Sequence, residues 1–334
     1  VDSTEGRYVN EERSGHIAII GAGSIGVGWA MVFSRSGQHV VVYDVDTERL
    51  DDARREFERV ALGLHAAELL EDAADALGRV TFLSDLATAV GDARFIQECI
   101  PESLELKKQL FETLETLAPS DAIFASSSSA ITCSSFAAAL ESRSRCLVAH
   151  PANPPYLLPV VELVPAPFTS PQTLARTRTL MAAAGLTVIE VKKEIEGFVY
   201  NRLQGALLRE AYCLVRDGVA EPEDIDRIVH DGLGRRWSVI GPFETADLNT
   251  RGGIESHAAK LGPAYARMGA ERGQHDEWTP ELVARVADSV HHRFPLEDWV
   301  KNCERRDLAL MTLEHVRREV PEVFRLENSP SDSD

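Results

Sequence analysis

Short apolar runs alternate with glycine punctuation and amphipathic stretches through the first part of the chain. His16–Ile20 (HIAII) is apolar and is followed at once by Gly21-Ala-Gly-Ser-Ile-Gly26. The next residues, to about Ser36, have helical spacing, and His39–Tyr43 (HVVVY) is rich in β-branched side chains. Strand, tight turn, helix, strand is the βαβ pattern of a parallel sheet. The pattern predicts further strands over Val80–Leu83, Arg94–Cys99, Ala122–Ser126, Arg145–Ala149, Val160–Val164 and Leu186–Val191. Helices are predicted between them at Leu104–Leu117 and Pro171–Ala184.

The period changes after about Val191. Over Glu194–Asp217 the residues Phe198, Leu203, Leu207, Tyr212 and Val215 fall near one face of a helix. Further helices are predicted around Glu221–His230, Glu255–Met268, Pro280–His291 and Leu296–Arg317, with no strand among them. The fold class is therefore α/β: an N-terminal Rossmann-type, doubly wound, mostly parallel sheet, followed by an all-α C-terminal domain. The expected divisions are a leader at 1–15 and a tail at 328–334 without fixed structure, a nucleotide-binding domain at 16–192, and a helical substrate and dimerisation domain at 193–327.

Composition narrows the function. At 334 residues and 44% hydrophobic, the chain is long enough for two cores. A formal net charge of -18 opposes nucleic acid backbones and anionic membranes. It also means that an acidic substrate needs a local cation. No apolar run reaches membrane-spanning length. The five cysteines are odd in number, widely spaced and free of a C-x-x-C pair. That argues against a disulfide framework or a zinc site and fits a cytoplasmic protein without a metal.

The glycine motif carries the first chemistry. In Gly21-x-Gly23-Ser24-Ile25-Gly26, Gly21 permits the tight turn, Gly23 lets backbone approach a pyrophosphate, and Gly26 lets the helix pack on the strand. The helix N-terminus beginning at Ser24 and Ile25 offers free N–H groups to phosphates. Asp44, at the end of the next strand, is placed to bind ribose hydroxyls and would repel a 2′-phosphate, which points to NAD rather than NADP. The alternative, a plain glycine turn with a surface aspartate, does not account for the strand, helix and acid arriving in order.

Three further segments follow strand ends, where ligands of open α/β sheets bind. Ala125-Ser-Ser-Ser-Ser-Ala130 sets four hydroxyls side by side, although serine is also a common helix cap. His150-Pro-Ala-Asn-Pro-Pro-Tyr156 offers a histidine that could take an alcohol proton, or merely brace a proline-rich turn. Val160-Val-Glu162-Leu-Val164 places one carboxylate in an apolar run. A buried carboxylate needs a partner, and His150 is the obvious one. Such a pair would fix the imidazole tautomer and make it a better base; the alternative is a solvent-facing Glu162. Asn201, expected in mid-helix, could bond a substrate oxygen or tether the domains.

Taken together, GAGSIGVGWA, FIQECIPESLELKKQLF, the serine run, VAHPANPPYLLPVVELVP, EIEGFVYNRLQGALLREA and GLGRRWSVIGPFETADLN resemble the 3-hydroxyacyl-CoA dehydrogenase superfamily. Within it they resemble most the lambda-crystallin / L-gulonate 3-dehydrogenase branch. The resemblance runs from about His16 to Asn249. It implies that His150 is the base, Glu162 its orienter, and Ser129 and Asn201 donors to the reacting oxygen. It also implies that Glu102 and Lys107 contact the nicotinamide side of NAD, that the 3-hydroxy substrate has the L configuration, and that the enzyme is a homodimer. An exposed helix pair is the alternative for Glu102 and Lys107. The serine run departs from the Ser-Asn-Thr-Ser-Ser of acyl-CoA relatives, but keeps the position of Ser129.

Two features bear on the substrate. Val45–Arg79 has no lysine, and its Arg49, Arg54, Arg55, Arg59 and Arg79 are diluted by acids, which argues against a CoA phosphate platform. Gly234-Arg235-Arg236-Trp237 matches an Arg-aromatic pair of the gulonate branch, so Arg236 is expected to clamp a free carboxylate. The expected activity is oxidation of the 3-hydroxyl of a small L-3-hydroxy acid in a cleft between the domains. A 3-hydroxyacyl-CoA dehydrogenase, a carnitine dehydrogenase and a non-catalytic crystallin-like NAD-binding protein are the alternatives.

Overall fold

The computed structural model describes residues 15–238, 241–251, 253–272, 281 and 295–319. The expected tail at 328–334, the leader apart from Gly15, and the helix expected over Pro280–His291 apart from Glu281 lie outside the described residues. The chain divides into two units: one reaches to Arg202 and includes Leu310–His315, and the other holds Leu203–Ala309 and the residues from Val316.

The first unit is an eight-stranded sheet of β1 (His16–Ile20), β2 (Val40–Tyr43), β3 (Val80–Leu83), β4 (Ala93–Glu98), β5 (Ile123–Ser126), β6 (Cys146–Pro151), β7 (Val160–Pro165) and β8 (Thr187–Glu190). Their spatial order is β3-β2-β1-β4-β5-β6-β7-β8. All neighbours are parallel except β6 and β7. The order reverses between β1 and β4, the switch point at which such sheets open a ligand crevice. Helices α1 (Ser24–Arg35), α2 (Thr47–Ala66), α3 (Ala73–Gly78), α4 (Leu86–Val90), α5 (Leu104–Leu117), α6 (Cys133–Ala137) and α7 (Pro171–Ala183) complete the unit.

Strand alternation creates two cores. Ile17, Ile19, Phe95, Ala149 and Leu163 point to one face, where Trp29, Phe33 and Phe57 pack. Ala18, Ile20, Ile96, Phe124, Val148 and Val164 point to the other, with Phe111, Phe136 and Phe198. Every second residue of a central strand therefore stays buried, so a polar side chain there must find a partner.

The second unit is helical among its described residues: α8 (Tyr200–Arg216), α9 (Pro222–Ile228) running into a π-helical turn at Val229–Leu233, α10 (Gly234–Trp237), α11 (Pro242–Leu248), α12 (Gly253–Glu271) and α13 (Trp299–Glu319), whose Leu310–His315 belong to the sheet unit. The first three residues of α8 belong to the sheet unit. Arg272 binds Glu210 and Asp217, tying the end of α12 to α8.

Two expectations shift. The helix expected from Glu194 begins at Tyr200, because Gly197 (φ 73°) and Phe198 (φ 48°) are left-handed and break the helical path. The division falls after Arg202 rather than near 192, because Phe198 is buried in the sheet unit's core and carries the chain with it.

Candidate active site

The glycine turn comes first. Gly21 has φ 110°, and a Cβ there would lie 2.7 Å from the Cys99 carbonyl. A Cβ on Gly26 would lie 1.9 Å from the Gly21 carbonyl, so that position accepts no side chain. A Cβ on Gly23 meets nothing within 4 Å, which leaves backbone facing open space at the start of α1. Gly23 caps α1 without a side-chain bond, and no acid occupies the first turn. Open space, uncapped N–H groups and the positive end of the helix dipole fit a pyrophosphate. Asp44 is buried; its Oδ2 accepts from Ala22 N–H at 2.9 Å and its Oδ1 from Asp46 N–H at 3.1 Å. Each carboxylate oxygen keeps a lone pair for a ribose hydroxyl.

Beyond the switch point, the ends of β4 and β5 hold a buried ionic cluster. Lys107 Nζ donates to both oxygens of Glu98 at 2.9 Å and approaches Glu102 at 3.3 Å. Ser126 Oγ donates to Glu98 Oε2 at 2.5 Å, and Ile100 N–H donates to Oε1 at 2.8 Å. Burial pushes the Glu98 carboxyl above the usual carboxylate range, against the pull of Lys107 and Ser126. The exposed helix pair weighed for Glu102 and Lys107 is thereby corrected for Lys107: its side chain is 1% exposed. An internal ammonium needs carboxylates around it, and Glu98 and Glu102 supply them.

Glu102 organises the serine loop. Its Oε1 accepts from Ser128 Oγ at 2.6 Å, from the N–H groups of Ser129 and Ala130 at 3.1 Å, and from Ile131 N–H at 3.4 Å. Burial raises its pKa, but the Ser128 hydroxyl, Lys107 and the amides outweigh that, and Glu102 sits below the usual range. Ser129 is exposed. The Ser129 carbonyl accepts from Asn201 Nδ2 at 2.9 Å. Asn201 lies in the first turn of α8, not in mid-helix as expected. On the opposite sheet face, Ser127 Oγ accepts from Trp29 Nε1 at 3.0 Å and Gln97 Nε2 at 2.7 Å, joining α1 to the serine loop.

His150 lies within β6 rather than just after it, because the antiparallel pairing with β7 extends the strand through Pro151. The register sets His150 opposite Glu162. Both are buried, and the His150 Nδ1 to Glu162 Oε2 distance is 2.8 Å. The solvent-facing alternative for Glu162 is thus corrected. Glu162 Oε1 accepts from Val199 N–H at 2.8 Å and Tyr200 N–H at 3.0 Å. Burial raises the Glu162 pKa, but the bonds from His150, Tyr200 and Val199 win and hold it below the usual range. An ionised carboxylate only accepts. Nδ1 of a neutral His150 must therefore carry the hydrogen, and Nε2 keeps the lone pair that takes a proton. The rings of Phe198 and Tyr200 stand 5.5 Å and 6.3 Å from the imidazole.

Gly21, Glu98, Ser126 and His150 all lie at or beside the C-terminal ends of strands that run in one direction. From β1 to β6 is three strand spacings, about 14 Å, a span suited to a dinucleotide lying across the strand ends. Arg236 is on α10 in the second unit and is exposed. Sequence reasoning singled out the serine run without the carboxylates that Ser126 and Ser128 bond, and it missed Glu98 and the place of Phe198 in the site. The signal for Glu98 was present: like Glu162, it is an acid inside an apolar strand run, FIQEC.

The model of the 3-hydroxyacyl-CoA dehydrogenase NAD-binding domain matches residues 16–195, and that of the 3-hydroxyacyl-CoA dehydrogenase C-terminal domain matches residues 197–288. The chain belongs to the 3-hydroxyacyl-CoA dehydrogenase family. A lambda-crystallin homolog from Bos taurus is 39% identical to this family member over 321 residues, covering 92% of this chain and 97% of the relative. The 5-formyl-3-hydroxy-2-methylpyridine 4-carboxylate 5-dehydrogenase of Mesorhizobium japonicum is 37% identical, covering 82% and 86%. A crystal structure of a 5-dehydrogenase acting on that pyridine carboxylic acid, described as an NAD+-dependent dismutase, superposes with a TM-score of 0.78 at 30% identity, covering 91% of this chain and 97% of its own. The protein is an NAD-dependent dehydrogenase.

Proposed function

We propose that the enzyme oxidises the 3-hydroxyl of a small L-3-hydroxy acid, an L-gulonate-like free carboxylate, to the 3-keto acid, or runs the reverse reaction. The 2.8 Å bond between His150 and an ionised Glu162 carries this reading. His150 Nε2 takes the hydroxyl proton, and Glu162 holds the ring in the tautomer that allows it and stabilises the imidazolium that results. Ser129 and the second N–H of the Asn201 amide donate to the substrate oxygen as its negative charge develops. Bound NAD supplies the hydride acceptor. Gly21, Gly23, Ser24, Ile25 and Gly26 would hold its phosphates and Asp44 its adenosine ribose, with Glu102 and Lys107 toward its nicotinamide end.

Arg236 is assigned to the substrate carboxylate. The free-acid reading over an acyl-CoA gains support from α2 and α3. Arg55, Arg59 and Arg79 there are engaged by Asp52, Glu56 and Asp75 on the same helix faces, and Arg54 stacks over Phe82. No helix among the described residues is long and apolar enough to cross a membrane. The thiols of Cys99, Cys133 and Cys146 are not joined in disulfides, and the compartment proposed for the enzyme is the cytoplasm. Leu203, Leu207 and Leu208 of α8 are exposed, which favours a homodimer; light scattering at a single chain mass would contradict it.

The test is an NADH-appearance screen over gulonate, threonate, 3-hydroxybutyrate, carnitine and 3-hydroxybutyryl-CoA. Turnover should be fastest on a free 3-hydroxy acid. Turnover confined to the CoA thioester would overturn the substrate reading and leave the His150 chemistry standing.

A further inference from the structure

Glu162 is held from two sides, and the second side is unusual. Its Oε1 accepts from the successive amides of Val199 and Tyr200, at the start of α8. The two amides converge on one oxygen because the chain turns through two consecutive left-handed residues, Gly197 at φ 73° and Phe198 at φ 48°. Glycine adopts that region freely, whereas an L side chain there is strained, and few sequences place a large aromatic residue in it. The strain is retained because the Phe198 ring is fully buried, packs in the core of that sheet face, and stands 5.5 Å from the His150 ring. Phe198 N–H also donates to Ile195 O at 3.1 Å, which closes the turn. Immediately after it, Asn201 donates to the Ser129 carbonyl.

We propose that Phe198 is a positioning residue for the proton relay: its left-handed turn aims two backbone amides at Glu162 and so fixes the carboxylate orientation that sets the His150 tautomer. The same turn delivers Asn201 to the serine loop, so one short segment registers three parts of the site. A backbone that left the left-handed region would swing the Val199 and Tyr200 amides off Oε1, and Glu162 could then rotate away from Nδ1. The inference rests on His150 being the base, but its readout does not require turnover.

The experiment is nitrogen-15 NMR of ring-labelled histidine at about pH 9, where an ordinary imidazole is neutral. The His150 signal is assigned by its loss in His150→Gln. The wild-type chain should show Nδ1–H, as should Phe198→Gly, which keeps the turn without strain. Phe198→Val, whose β-branch opposes positive φ, should show a mixture of tautomers and at least a tenfold lower kcat, with NAD affinity unchanged. A Val variant that keeps Nδ1–H and full kcat overturns the proposal. The wild-type protein gives a second measurement should the Val variant fail to fold. The Val199 and Tyr200 amide shifts should titrate with the midpoint of the His150 ring, and amides indifferent to that titration overturn the proposal. Normal turnover in His150→Ala would instead defeat the base assignment and leave the positioning result to stand or fall on the NMR.

Discussion

Glu162 faces His150 across the one antiparallel pair of the sheet, and the oxygen it does not give to the imidazole, Oε1, is committed to the amides of Val199 and Tyr200. Both oxygens are thus used, and the carboxylate has one orientation. Glu162→Gln preserves the shape but not the acceptor set. With the amide oxygen on the two backbone N–H groups, the NH2 must face Nδ1 and donate to it. That forces the hydrogen onto Nε2 and removes the base. Expected is a fall in kcat of about 10²–10⁴-fold with NAD affinity unchanged. Steady-state kinetics beside NADH-fluorescence titration check it.

Lys107 is the counter-ion of a buried carboxylate, and its loss should have a signed pH dependence. Burial raises the Glu98 pKa; a group so raised contributes stability below its unfolded value, and that contribution is lost as pH rises through its folded value. Lys107→Met removes the opposing cation, so Glu98 must remain protonated or be left as an unpaired charge. The variant should lose about 3–5 kcal/mol, with a Tm deficit that widens from mildly acidic to alkaline pH. Thermal melts of both proteins across that range decide the matter; a deficit independent of pH would contradict it.

The glycines separate folding from cofactor binding. Gly26→Ala drives a methyl into the Gly21 carbonyl and should lower Tm by overpacking, at a cost of about 1–3 kcal/mol or more. Gly23→Ala meets nothing in the protein and should melt as wild type, while NAD affinity falls about tenfold or more because the methyl occupies the phosphate approach. Melting curves with and without NAD distinguish the two.

Arg236→Met should raise KM for the free acid about ten- to a hundredfold and change kcat little, the pattern of a lost charge-assisted carboxylate contact. Arg236→Lys should recover only part of it, because an ammonium lacks the two-pronged geometry. An unaltered KM removes Arg236 from the site.

Much of this was legible in the sequence. HIAII before the glycine turn, HVVVY after it and Asp44 beyond fixed the dinucleotide half, because strand periodicity and turn chemistry are local. Glu162 stood out as an acid inside VVELV. Three features were hidden because they are properties of tertiary contact. Lys107 in LELKKQLF has the look of a solvated helix face, and its burial is explained by the carboxylates of Glu98 and Glu102. His150 falls inside a strand because β7 pairs beside it, which residues 145–151 alone do not reveal. The start of α8 is delayed by a left-handed Phe198, a conformation that no propensity favours and that the packing of its ring sustains.

The proposed chemistry turns on proton transfer at His150 Nε2. Single-turnover absorbance of NADH formation by His150→Ala, with NAD binding measured on the same sample, tests it most directly. The expected result is a loss of about two to four powers of ten in rate with near-normal NAD affinity. Wild-type turnover in that variant would contradict it and leave a nucleotide-binding scaffold whose chemistry lies elsewhere.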